Sequence, residues 1–158
     1  MPTPPLGTFT QVSVAGDQYL DDIYHYYAPG LHACAIRSDQ TVACWGDDTV
    51  GQSNPKFGTY QQISLARGKS CGLLTDGRLA CWGDGYAHSR PPTGSFVKVA
   101  ASAGYACALR TDGTVHCWGN AALTPPPDLF SDVYTAHNYA CGIRRDSTVT
   151  CWGAVGRP

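Results

Sequence analysis

Four stretches of the chain alternate apolar and polar residues with a period of two. They are CAIRSDQTVACWG from Cys34, CGLLTDGRLACWG from Cys71, CALRTDGTVHCWG from Cys107 and CGIRRDSTVTCWG from Cys141. Such alternation predicts strands, because successive side chains of a strand leave on opposite faces. Each stretch is interrupted once, by a turn signal built on Asp, and therefore predicts a β-hairpin. With Cys107 opposite Cys117, Leu109 faces Val115 and Arg110 faces Thr114, which leaves Thr111-Asp112-Gly113 as the loop. A three-residue loop of this kind is a type I turn followed by a left-handed residue, a place glycine fills without steric penalty. Asp76-Gly77 repeats the signal, and Asp39-Gln40 and Asp146-Ser147 are weaker versions of it.

The cysteines of each hairpin share a face with Ile36 and Val42, Leu73 and Leu79, Leu109 and Val115, or Ile143 and Val149. On the other face stand Ala35, Gly72, Ala108 and Gly142, small enough for another sheet to approach. A further strand precedes each hairpin: FTQVSVA, YQQISLA, FVKVAAS and FSDVYTA. In the last three units its first aromatic residue lies 11 positions before the first cysteine. Trp45, Trp82, Trp118 and Trp152 recur after the hairpins, each followed by Gly and then a Gly/Pro-rich linker. One unit is thus strand, hairpin, Trp-Gly and linker. First cysteines are spaced by 37, 36 and 34 residues, a period that predicts a propeller or another stacked β array. The tryptophans recur in register, as blade packing requires.

The pattern F-x-x-[VI]-x-x-A, then C-[AG]-[IL]-R-x-D-x-T-V-x-C-W-G, then G-Q-x-x-P-P-x-G resembles the regulator-of-chromosome-condensation repeat. The paired cysteines are similar to those of the disulfide-containing secreted form. The resemblance implies an all-β fold, a β-propeller-type array of four repeated blades, each with a disulfide-stapled hairpin. Members of the family usually have seven blades, whereas four units are present here. From Trp152 to Pro158 and on from Met1 to Phe9 is 15 residues, as many as from Trp45 to Tyr60. The array is therefore expected to be closed by the termini or completed by a neighbouring chain. The single repeat domain 1–158 divides into units of about 7–50, 51–87, 88–123 and 124–158.

All eight cysteines fall in the hairpins, each pair ten positions apart. That spacing, across two arms of a hairpin, is not the short knuckle of a structural zinc site, and it predicts the disulfides Cys34–Cys44, Cys71–Cys81, Cys107–Cys117 and Cys141–Cys151. Four such bridges point to a secreted or extracellular site, although the N-terminus MPTPPLGTF has no signal-peptide character. The net charge of −1 leaves no basic footprint for nucleic acid, and no apolar run of 18 residues predicts a membrane insertion. The family includes a guanine-nucleotide exchange factor that docks on nucleosomes, a role this charge does not carry over.

No catalytic constellation stands out. There is no Glu, the turn aspartates close hairpins, and the cysteines are committed to bridges. His32, His88, His116 and His137 lie inside or beside repeat positions, and His116, at a strand site that holds Ala or Thr in its siblings, reads as surface or packing. Neither a metal nor a cofactor is expected, and an enzyme is the least supported class.

One segment breaks the repeat. Cys34 lies 25 positions after Phe9, 14 more than the separation in the other units, and residues 17–30 hold a Tyr-rich insertion. Tyr19, Asp21, Asp22, Tyr24, His25, Tyr26 and Tyr27 are the candidate ligand-binding residues, since insertions in repeat folds map to one face and Tyr gives rigid contact area. The same tyrosines could instead plug an opening of the array. The expected function is a non-enzymatic extracellular recognition module for a protein or glycan ligand. The alternative is a structural subunit that self-associates through its chain ends, stacking head-to-tail into an oligomer or filament.

Overall fold

The structure, a computed structural model, describes residues 3–15, 31–83, 90–119 and 123–153. Among them are twelve strands: β1 (Phe9–Ala15), β2 (His32–Arg37), β3 (Val42–Gly46), β4 (Tyr60–Ala66), β5 (Lys69–Leu74), β6 (Leu79–Gly83), β7 (Phe96–Ala101), β8 (Tyr105–Arg110), β9 (Val115–Gly119), β10 (Phe130–Thr135), β11 (Tyr139–Arg144) and β12 (Val149–Gly153). They form four antiparallel blades in simple order, β1-β2-β3, β4-β5-β6, β7-β8-β9 and β10-β11-β12.

The second and third strands of each blade are the predicted hairpin, in the predicted register. Cys107 pairs with Cys117 and Leu109 with Val115, and the other three blades follow suit. The bridges are Cys34–Cys44, Cys71–Cys81, Cys107–Cys117 and Cys141–Cys151, with Cα separations of 4.0–4.1 Å. So close an approach is the mark of a non-hydrogen-bonded antiparallel pair, where a disulfide fits. The third loop residue is left-handed in every blade, with φ of 70° at Gln40, 83° at Gly77, 94° at Gly113 and 70° at Ser147. The turn aspartate accepts from the backbone N–H two residues on, at Thr41, Arg78, Thr114 and Thr148.

The first strand of each blade holds a feature the alternation does not predict. Register shifts between its first and third residues, at Phe9/Gln11, Tyr60/Gln62, Phe96/Lys98 and Phe130/Asp132. This β-bulge adds one residue and reverses the parity of the rest of the strand. Tyr60 thereby joins Ile63 and Leu65 on one face, while Gln62 and Ser64 go to the other. The ring of Tyr60 lies over Gly72 and that of Phe130 over Gly142, so closely that a Cβ at either glycine would meet ring carbon at 2.4–2.5 Å. The small residues thus seat the blade's own aromatic ring, and the neighbouring blade packs on that ring.

Each blade presents its aromatic face to the preceding blade and its disulfide face to the following one. Cys34 and Ile36 pack against Tyr60, Ile63, Leu65 and Trp82. Cys71, Leu73 and Cys81 pack against Phe96, Val99, Ala106 and Ala108. Cys107, Leu109 and Val115 pack against Phe130, Val133, Ala140 and Trp152. These three layers are the core, and their burial is the main stabilising term. Trp82 and Trp152 are buried in them, whereas Trp45 and Trp118 are only half-buried, so the four tryptophans are not equivalent.

Polar joints reinforce the layers. Gln11 accepts from the Ile63 N–H and donates to the Ile63 carbonyl, both at 2.9 Å. Gln62 grips Val99 in the same way, at 3.0 Å. Between the third and fourth blades the joint is an ion pair of Lys98 with Asp132. The carbonyls of the first three left-handed turn residues also accept from the next blade's first residue: Tyr60 N–H to Gln40, Phe96 N–H to Gly77 and Phe130 N–H to Gly113.

Among the described residues packing runs from each blade to the next, and no core layer joins the fourth blade to the first. Val12 and Val14 of the first blade are 62% and 73% exposed, although their counterparts Ile63 and Leu65 are buried.

Candidate functional site

The predicted ligand-binding residues Tyr19, Asp21, Asp22, Tyr24, His25, Tyr26 and Tyr27 lie outside the described residues. Their neighbours in the chain are described, and those neighbours locate a site. Ala15, at the end of β1, pairs with His32 at the start of β2. The same end of the other blades carries the β4–β5, β7–β8 and β10–β11 turns. Ala15 and Leu31, the described residues on either side of positions 16–30, therefore stand on one rim of the array.

On that rim the ends of β1, β4, β7 and β10 line an open hollow of about 250 Å³, whose wall includes Ala15, Leu65, Ala101, Ser102 and Ala136. Small residues at these ends leave the space open, and Arg67 and His137 supply its exposed polar groups. The wall is held by hydrogen bonds that cross between blades. Ser102 Oγ donates to the Ala136 carbonyl at 2.5 Å, and Thr135 Oγ1 donates to the Ala101 carbonyl at 3.0 Å. The Tyr105 hydroxyl lies 2.8 Å from the Ala136 carbonyl and 2.5 Å from that of Tyr139. Burial pushes the Tyr105 hydroxyl's pKa above its ordinary value, so the phenol stays neutral and donating. A guanidinium and an imidazole on a rigid, small-residue rim can bind an anionic or hydrogen-bonding group. They are not arranged as a nucleophile and its base.

Behind the rim, His32 is buried and its Nε2 lies 2.9 Å from Ser70 Oγ. Ser70 Oγ donates its single proton to the Gln52 carbonyl at 2.9 Å, so it accepts from His32, which must carry its proton on Nε2. The Gln52 carbonyl also accepts from Trp82 Nε1, at 2.9 Å. The Gln52 side chain in turn donates to Asp47 Oδ2 at 2.7 Å and accepts from the Val50 N–H at 2.9 Å. This network fastens the linker between the first two blades, and it holds His32 as a packing residue between them. His116 is exposed on β9, and His88 lies outside the described residues.

Arg67 is a rim residue that sequence reasoning passes over, and His137 is one that it names without placing on the rim. The signal is present once the units are aligned, because the turn after each inner strand reads Arg67-Gly68, Ala103-Gly104 and His137-Asn138. A second hollow, of about 570 Å³, lies between the linker at Val50 and Phe57 and the buried Trp82. Phe57 is fully exposed at its edge.

Comparison with known proteins places the scaffold. The family model for the regulator of chromosome condensation (RCC1) repeat matches residues 30–52 and 96–121. The CRINKLY WD40 ectodomain of the Arabidopsis thaliana receptor kinase ACR4 is 30% identical, over 78% of this chain and 48% of its own, with a TM-score of 0.66. The entire ectodomain of the Physcomitrella patens receptor kinase CR4 is 24% identical, over 94% of this chain and 43% of its own, with a TM-score of 0.73. Prp20p of Saccharomyces cerevisiae, a protein with binding properties to Gsp1p and histones, is 17% identical, over 77% of this chain and 42% of its own, with a TM-score of 0.66. The chain spans less than half the length of each. No curated protein matches it. The repeat model covers the hairpin of the first unit and most of the third, and the same disulfide-closed blade recurs in the second and fourth. On these grounds the repeats of this chain are of the regulator of chromosome condensation type.

Proposed function

We propose that this chain is a non-enzymatic recognition module that binds a protein ligand at the rim of its blades, outside the cytoplasm. The observation that carries the reading is the rim hollow. It brings Arg67 and His137 beside Ala15, the residue from which the Tyr-rich insertion departs. Two of the similar structures are receptor ectodomains, and Prp20p binds protein partners, which supports a protein ligand and an extracellular setting. Four disulfides with no free cysteine suit an oxidising compartment and leave no thiol nucleophile. A glycan is the other ligand class that Tyr, Asp and Arg side chains serve.

The test is a panel of displayed extracellular proteins together with a glycan array. The probes are the full chain, a variant with residues 17–29 replaced by a short Gly-Ser turn, and an Arg67→Ala, His137→Ala double variant. Both variants are expected to fold with four disulfides and to bind the full chain's ligand about 30-fold more weakly, the equivalent of ~2 kcal/mol for a hot-spot loss. A ligand held equally by all three chains would overturn the rim as the site. A ligand found only on the glycan array would replace protein with carbohydrate.

A self-associating, structural role is the second reading. It is favoured by the exposed apolar residues on the outer faces of the first and fourth blades.

A further inference from the structure

The three internal interfaces share one grammar. A disulfide face, with Ile36, Leu73 or Leu109 beside the cystine, meets an aromatic face whose fourth first-strand residue is Ile63, Val99 or Val133. Those three residues are 2%, 0% and 0% exposed. The chain presents one further face of each kind. The fourth blade's disulfide face carries Cys141, Ile143, Val149 and Cys151, with Val149 64% exposed. The first blade's aromatic face carries Val12 and Val14, the counterparts of Ile63 and Leu65. Among the described residues, two complementary faces of a thrice-repeated joint thus carry exposed apolar side chains.

Resting on the self-associating reading, we propose that the disulfide face of the fourth blade docks on the aromatic face of the first blade of a second copy. The two contacts so formed close a head-to-tail dimer of eight blades. The backbone joint continues across the same interface. Gln40, Gly77 and Gly113 each accept from the first residue of the following blade. Ser147 holds the equivalent carbonyl, and Phe9 the equivalent N–H. A heterologous contact gives either a ring or a fibre. The chain spans 48% and 43% of the two receptor ectodomains, so two copies together approach their length. One component of the internal joints is missing. Asp132 stands where Gln11 and Gln62 stand, and its carboxylate is already engaged by Lys98 and by the Tyr134 hydroxyl. The contact between copies therefore lacks the amide grip and is reversible with dilution.

Light scattering of the full chain over a dilution series tests this. The expected result is a species of twice the monomer mass that dissociates on dilution. Val12→Asp disables the aromatic face and Val149→Asp the disulfide face. Both residues are mostly exposed, so both variants fold, which circular dichroism verifies. Each variant alone is expected to be monomeric. Mixed in equal amounts, they are expected to pair through the one intact contact, at higher concentration than the full chain, because one supplies an intact disulfide face and the other an intact aromatic face. A monomeric full chain at every concentration overturns self-association itself. A dimer that survives either substitution, or a mixture that stays monomeric, overturns the faces assigned here while leaving self-association standing. Masses growing without limit overturn the closed ring.

Discussion

His32 shows how one side chain ties the stability of this array to pH. Burial holds its imidazole below the ordinary value of 6.5, against the opposing pull of Asp47 and Asp48. Below pH 6.5 the unfolded chain therefore takes up a proton that the folded chain does not, and stability falls on acidification. His116, lowered by its own partial burial and by Arg110, acts in the same window. The turn aspartates act lower. Hydrogen bonds from Thr41, Thr114 and Thr148 hold Asp39, Asp112 and Asp146 below 3.8. Stability that these carboxylates contribute is present above pH 3.8 and is lost as the pH drops through their lowered values. Melting temperature against pH should accordingly decline in two stages. His32→Gln should weaken the upper stage and leave the lower one in place. An unchanged upper stage in that variant would mean that His32 charges freely in the folded protein.

At the scale of the element, the hairpin turns offer the sharpest comparison, since four copies of one loop carry different residues at the left-handed site. Gly77 and Gly113 occupy it without strain, whereas Gln40 and Ser147 hold φ of 70° with a side chain. A left-handed conformation costs an L-residue roughly 1–2 kcal/mol, and glycine's extra unfolded freedom offsets about half of that. Gln40→Gly and Ser147→Gly should each stabilise the protein by about 0.5–1 kcal/mol in urea denaturation. Gly77→Ala should lose a similar amount, and a neutral Gly77→Ala would show that the turn relaxes. These hairpins are legible in the sequence because everything that specifies them is local: the cysteine spacing, the Asp signal and the alternation. The bulge is also written there, in the odd spacing of Tyr60 and Ile63, but a period-two reading does not register a single extra residue. The Gln11 and Gln62 joints are not legible, because their partners are main-chain atoms 52 and 37 positions away. The rim position of Arg67 and His137 emerges only when the units are aligned and their rim turns compared. The Tyr-rich insertion stands out through its length alone, a signal that marks a place and leaves the geometry unspecified.

For the whole molecule, contact between adjacent blades alone makes stability a sum of blade and joint terms, as in other repeat arrays. The fourth blade has one such joint, and its cystine is correspondingly accessible. Cys151 is exposed, whereas Cys34, Cys71 and Cys107 are fully buried. Graded reduction followed by alkylation and peptide mapping should open Cys141–Cys151 first. Equal rates at all four bridges would show that the array opens as one unit. The joints themselves differ in what they demand of their neighbours. Gln11 and Gln62 hold the peptide groups of Ile63 and Val99, atoms that every residue except proline supplies. Lys98 holds a side chain, and only an acid at position 132 answers it. A grip on the main chain is indifferent to the identity of the next unit, so the second and third blades could drift in sequence, or be duplicated, without loosening what precedes them. The last joint has no such tolerance: it admits one neighbour and thereby fixes which unit comes fourth.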